Sequence, residues 1–125
     1  MIPNNYILNS DYLALANVSS NDFTVNAAGG TVSGNIPTQT YNFTVPATTS
    51  VIDRVQVSYG GQTVAGTDTH IKISSNATVG VQVYRTTATN IRVNLSFFPY
   101  ATASGSWSAF TLNIHVDSFA PPNLT

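Results

Sequence analysis

The chain of 125 residues carries 7% charged residues, a formal net charge of −1 and no cysteine. This length bounds it to one domain with enough chain to bury a core, and the missing thiols exclude disulfides and thiolate metal sites. Four cations scattered at Arg54, Lys72, Arg85 and Arg92 make no stripe for a nucleic acid to follow, and no run approaches the roughly 18 apolar residues of a membrane helix.

Residues 1–22 are the least regular part and are expected to be an N-terminal arm or short irregular segment. Pro3 and the two Asn residues after it suit an extended start. The stretch Ile7 to Ala16 (ILNSDYLALA) fits either a short helix capped near Ser10 or an arm that adds to a neighbouring chain. The start from Met1 (MIPNNYILNSDYLALA) has no basic n-region and no apolar h-region, so no secretory signal is expected.

From Phe23 onward the pattern changes to short strands separated by Gly, Pro, Asn and Ser. Phe23 to Asn26 (FTVN), the pair Gly29-Gly30 and Thr31 to Ser33 (TVS) suggest a hairpin. Thr40 to Val45 (TYNFTV) places Tyr41, Phe43 and Val45 on one face before Pro46 ends the ladder. Val51 to Tyr59 (VIDRVQVSY) has an apolar face of Val51, Val55, Val57 and Tyr59, interrupted by Asp53. Gly60-Gly61 then leads into Gln62 to Ala65 as a second hairpin. A third is expected where His70 to Ser74 (HIKIS) turns at Ser75-Asn76 into Thr78 to Arg85 (TVGVQVYR).

Asn90 to Phe98 (NIRVNLSFF) and Ala109 to Asp117 (AFTLNIHVD) alternate apolar and polar residues almost without a break. Their inward sets are Ile91, Val93, Leu95 and Phe97, and Phe110, Leu112, Ile114 and Val116, because successive side chains leave a strand on opposite faces. Pro99 to Ser106 joins the two, with Gly105-Ser106-Trp107 as a turn into the last strand. The tail 120–125 (APPNLT) cannot form a ladder. Residues 23–119 are therefore expected to form an all-β domain, an antiparallel β-sandwich or jelly roll of about eight short strands.

Chemistry-bearing patterns are few. All five carboxylates are Asp, at positions 11, 22, 53, 68 and 117. Turn or cap contexts explain Asp11, Asp22 and Asp68, and Asp53 neighbours Arg54. Asp68-x-His70 and His115-x-Asp117 each put an imidazole and a carboxylate on one strand face, and two such pairs on neighbouring strands could hold a metal. Two histidines without a third ligand motif do not make that case, so no metal and no cofactor are expected. With no Gly-x-Ser-x-Gly elbow and no cysteine, no enzyme is expected either.

The outer faces of the last strands carry Asn, Ser, Thr and Ala where a soluble monomer places Lys and Glu; the chain has no Glu and one Lys. Phe98 is out of phase with the core, on the face that should be wet. Arg92, Asn94, Phe98, Asn113 and His115 are accordingly the candidate interface residues. Tyr100 and Trp107, beside Phe98, supply the alternative, a sugar-binding platform of exposed aromatics.

The segments Thr40 to Tyr59 (TYNFTVPATTSVIDRVQVSY) and Asn90 to Phe119 (NIRVNLSFFPYATASGSWSAFTLNIHVDSF) resemble small bacteriophage virion proteins in style, over about two-fifths of the chain. The resemblance implies a β-sandwich, often trimeric, that decorates or cements a capsid or forms part of a tail. It implies a virion location and other copies of itself, capsid proteins or tail proteins as partners, with no nucleic acid and no membrane. A carbohydrate-binding module or receptor-binding tip is the alternative function.

Overall fold

A computed structural model describes residues 16–46 and 52–120, and these form an all-β antiparallel sandwich with ten strands among the described residues. In chain order they are β1 (Ala16–Ala27), β2 (Gly30–Ser33), β3 (Thr38–Thr44), β4 (Ile52–Tyr59), β5 (Gln62–Ala65), β6 (Asp68–Ser74), β7 (Ala77–Thr87), β8 (Asn90–Pro99), β9 (Ser104–Trp107) and β10 (Phe110–Ala120). One sheet has the order β1-β10-β4-β5 and the other β3-β8-β7-β6, with a small β2-β9 ribbon between the chain's turns. The outer pairings nest as in a rolled hairpin: β1 with β10, β2 with β9, β3 with β8. A jelly roll would continue that nesting inward. Here the inner four strands close instead as two adjacent hairpins, β4-β5 and β6-β7.

The alternation is what divides core from surface. Ile91, Val93, Leu95 and Phe97 of β8 are buried, as are Leu112, Ile114 and Val116 of β10, and they meet Val55 and Val57 of β4 and Val79, Val81 and Val83 of β7. Each such side chain removed from water stabilises the fold by about 1.5–3 kcal/mol. The edges of β1 and β3 lie against each other and are stitched by side chains. Phe23 stacks on Phe43 with ring centroids 4.7 Å apart. Gln39 accepts from the Ala28 amide (3.3 Å) and donates to the Ala28 carbonyl (3.2 Å), standing in for a strand partner.

Two expected hairpins are present. Gly60 and Gly61 both have positive φ (57° and 82°), which lets β4 turn straight into β5. Ser75-Asn76 turns β6 into β7. Between these hairpins, from β5 to β6, the chain crosses from one sheet to the other at Gly66 (φ 128°), whose amide donates to the Val55 carbonyl while the Thr67 carbonyl accepts from Val83.

Other expectations are corrected. The segment around Phe23 is a strand that begins at Ala16, inside the expected 1–22 arm, and its partner is β10 and not β2. Gly29-Gly30 is therefore no hairpin turn. Glycine is required there by close approach: a Cβ on Gly29 would lie 2.9 Å from the Ala109 amide nitrogen, and one on Gly30 would lie 3.0 Å from the Trp107 ring. Gly105-Ser106-Trp107 belongs to β9 and is no turn, and a Cβ on Gly105 would collide with the Asn76 carbonyl oxygen. Ala120, the first residue of the expected tail, is the end of β10 and pairs with Ala16; the expected helix or arm before Ala16, the residue Val51 and residues 121–125 lie outside the described residues.

Gly29→Ala is expected to cost about 1–3 kcal/mol, because the backbone it meets, from Trp107 at the end of β9 through Ser108 and Ala109, has no side-chain rotamer to yield. A urea midpoint within error of wild type would show that the two chain segments do not approach this closely.

Candidate functional site

The two sheets turn different outer faces to the surroundings, and this separates the candidate interface residues. Arg92, Asn94 and Phe98 project from β8 on the outer face of β3-β8-β7-β6. Asn113 and His115 project from β10 on the opposite outer face. They alternate correctly on their own strands, but the hydrophobic core lies between the two groups, so they form no single surface.

On the β8 face, register sets polar side chains in rows. Thr40 of β3 donates to Asn94 Oδ1 (2.9 Å), and Asn94 Nδ2 donates to the Tyr84 hydroxyl of β7 (2.9 Å). Arg92 Nε donates to Asn42 Oδ1 (3.1 Å) in the next row. Tyr84 is 42% exposed, although its hydroxyl is held. At the far end Phe98 is half-buried, with its ring centroid 6.0 Å from that of His70. Both lean over Gly80, where a Cβ would meet each at 3.3 Å. Lys72 Nζ lies 4.6 Å from the centre of the Tyr100 ring, a cation–π contact on an exposed aromatic.

On the β10 face the charges gather. His115 Nδ1 pairs with Asp22 Oδ1 of β1 at 2.8 Å, and its Nε2 pairs with Asp117 Oδ1 at 3.0 Å. Ser20 donates to Asp117 Oδ1 (2.6 Å), and Arg54 of β4 donates to Asp117 Oδ2 (3.3 Å). The Arg54 guanidinium also rests 5.0 Å above the Phe119 ring. The hydrogen bond to Asp22 raises the His115 pKa above its ordinary 6.5, against a weaker opposing effect of burial. The same bond holds Asp22 below 3.8, and the Ser20 hydroxyl does so for Asp117.

This constellation is not a nucleophilic triad. Both imidazole nitrogens face carboxylates, and the serine bonds to a carboxylate and not to the imidazole, so no base is aimed at a nucleophile. His115-x-Asp117 does share a face as its spacing predicts. His70 lies on the other sheet, so the two His/Asp pairs cannot converge on one metal, and among the described residues no group of three potential ligands is placed to hold one.

The sugar-platform expectation places Trp107 at the surface, whereas its ring is buried. It lies parallel to Phe97 with centroids 4.1 Å apart, and its Nε1 donates to the Ala28 carbonyl (2.9 Å). Of the expected pair, Tyr100 alone reaches solvent, at 45% exposure. A cleft of about 530 Å³ opens beside Arg54, Val55, Ala65 and Phe119, next to the charged network.

Ser20, Asp22, Arg54 and Tyr84 carry no motif that marks them as surface actors. Alternation alone places them on outer faces, but their partners are fixed only by which strands pair. No family model, no curated protein and no solved structure matches this chain.

Proposed function

We propose that this protein is a non-enzymatic structural subunit of a bacteriophage virion that associates with copies of itself, as a trimer, and with capsid or tail proteins. The observation that carries the reading is the outer face of β3-β8-β7-β6. It presents Thr40, Asn42, Arg92, Asn94 and Tyr84 in a hydrogen-bonded ladder with Phe98 at its end. Aromatics and arginine without Glu or crowded Lys are the composition of a protein interface more than of a solvated surface. Side chains already fixed by neighbours also lose less entropy on docking. Repetition of a modest contact around a symmetric assembly then makes detachment rare.

Sedimentation equilibrium over a wide concentration range tests self-association, and co-sedimentation with capsids or tails tests the setting. Tyr84→Asp sets a like charge on every copy of an exposed position, so the fold should stay intact while association weakens by about tenfold or more. A wild-type chain that stays monomeric and binds neither particle would remove the proposal.

A further inference from the structure

Strand β1 is held in two different ways along its length. Its second half buries Val25 and Ala27 and packs Phe23 against the core. Its first half turns Ser19 and Asn21 inward, opposite Ser118 and Val116, and the Asn21 Nδ2 is buried with no hydrogen-bond partner. On the outer face of this half Ser20 donates to Asp117 and Asp22 pairs with His115.

The two carboxylates in those contacts, Asp22 and Asp117, both meet one imidazole, that of His115. From β1 it faces Asp22, from its own strand Asp117, and from β4 its register partner is the neutral Gln56, with Arg54 one row along on Asp117. No other titratable side chain among the described residues lies on this face of β1, β10 or β4. A protonated imidazole donates to both carboxylates at once. A neutral one has a single N–H, so one of the two contacts, at 2.8 or 3.0 Å, becomes acceptor against carboxylate oxygen.

We propose that residues 16–22 are a detachable arm whose docking on β10 is tightened by the protonated His115 bracket and weakened when that imidazole loses its proton. The hinge is Asp22/Phe23, where β1 passes from polar attachment to apolar packing.

The direction of the pH effect follows from the raised histidine and lowered aspartates. Docking from His115 is complete below pH 6.5 and is lost as pH rises through its higher folded value. Docking from Asp22 and Asp117 is present above 3.8 and is lost as pH falls through their lowered values. The arm is therefore most firmly closed between these limits.

Hydrogen exchange with peptide resolution, corrected for intrinsic rates and compared below pH 6.5 and well above it, tests the bracket. Protection of residues 16–22 should fall on going to high pH, by up to about tenfold for each unit that the imidazole titrates above its ordinary value, while residues 23–27 keep theirs. In His115→Gln the same step should leave both halves unchanged. The proposal is overturned by a flat wild-type response, by both halves losing protection together, or by a pH response that survives in His115→Gln.

Discussion

Phe97→Ala should destabilise the fold by about 3–5 kcal/mol, the range for deleting an aromatic ring from a core that cannot collapse onto the space. Phe97 is fully buried on β8, stacked on Trp107 of β9 and set edge-on to Phe110 of β10 at 6.2 Å. The ring thus fills one contact among three strands. Its loss also frees the Trp107 ring, which covers Gly30 and anchors the β2-β9 ribbon to the Ala28 carbonyl. Trp107 is the only tryptophan of the chain. Urea unfolding should therefore show the lower stability, and native-state fluorescence should shift to the red as the indole gains water. A loss under about 1.5 kcal/mol with unchanged emission would mean that the site refills and that the stack is not a keystone.

Phe97 also marks how far the sequence reaches. Its inward direction was legible because the whole of β8 alternates, and the same holds for Leu112, Ile114 and Val116 of β10. The β4-β5 and β6-β7 hairpins were legible because Gly60-Gly61 and Ser75-Asn76 sit between periodic runs. Gly29-Gly30 misled because glycine serves two purposes, positive φ and close approach, and only the second operates there. β9 was missed because Ser104 to Trp107 offers one large residue in four and no period. The first half of β1 had no apolar alternation, a true reflection of its polar attachment, although the backbone there is strand. The His115 bracket was out of reach since its two strands are adjacent in space and far apart in sequence. One long-range pair did leave a trace. Asp53 interrupts the apolar face of β4, and Arg85 falls in phase at the end of Val79, Val81 and Val83. Two inward charges of opposite sign on facing strands have few options besides each other.

Breaking that pair should cost about 3 kcal/mol or more for Asp53→Ala or Arg85→Ala alone, because each leaves the other charge largely buried and unmatched. The two side chains are only 16% and 15% exposed. Arg85 meets Asp53 with a fork, Nε to Oδ2 at 3.0 Å and Nη2 to Oδ1 at 2.9 Å, and Ser118 donates to the same carboxylate at 2.7 Å. Burial pushes the Asp53 carboxyl up, but the bonds from Arg85 and Ser118 with the guanidinium charge outweigh it and hold the group below 3.8. The pair ties the β1-β10-β4-β5 sheet to its partner across one end of the sandwich, a place where apolar side chains could serve as well. Asp53→Val, Arg85→Met and Ser118→Ala combined should therefore lie within about 1 kcal/mol of wild type at neutral pH, far from the sum of single losses. Acid sharpens the contrast. A carboxyl whose folded pKa is lowered stabilises above 3.8 and loses that contribution as pH falls through the folded value, so wild type should weaken in that range by a term the triple variant lacks. Denaturant midpoints measured for the singles, the triple and wild type from neutral pH down into that range decide the matter. A triple variant as unstable as the worst single would mean that the bridge sets the spacing of the two sheets and is not merely a charge needing its partner.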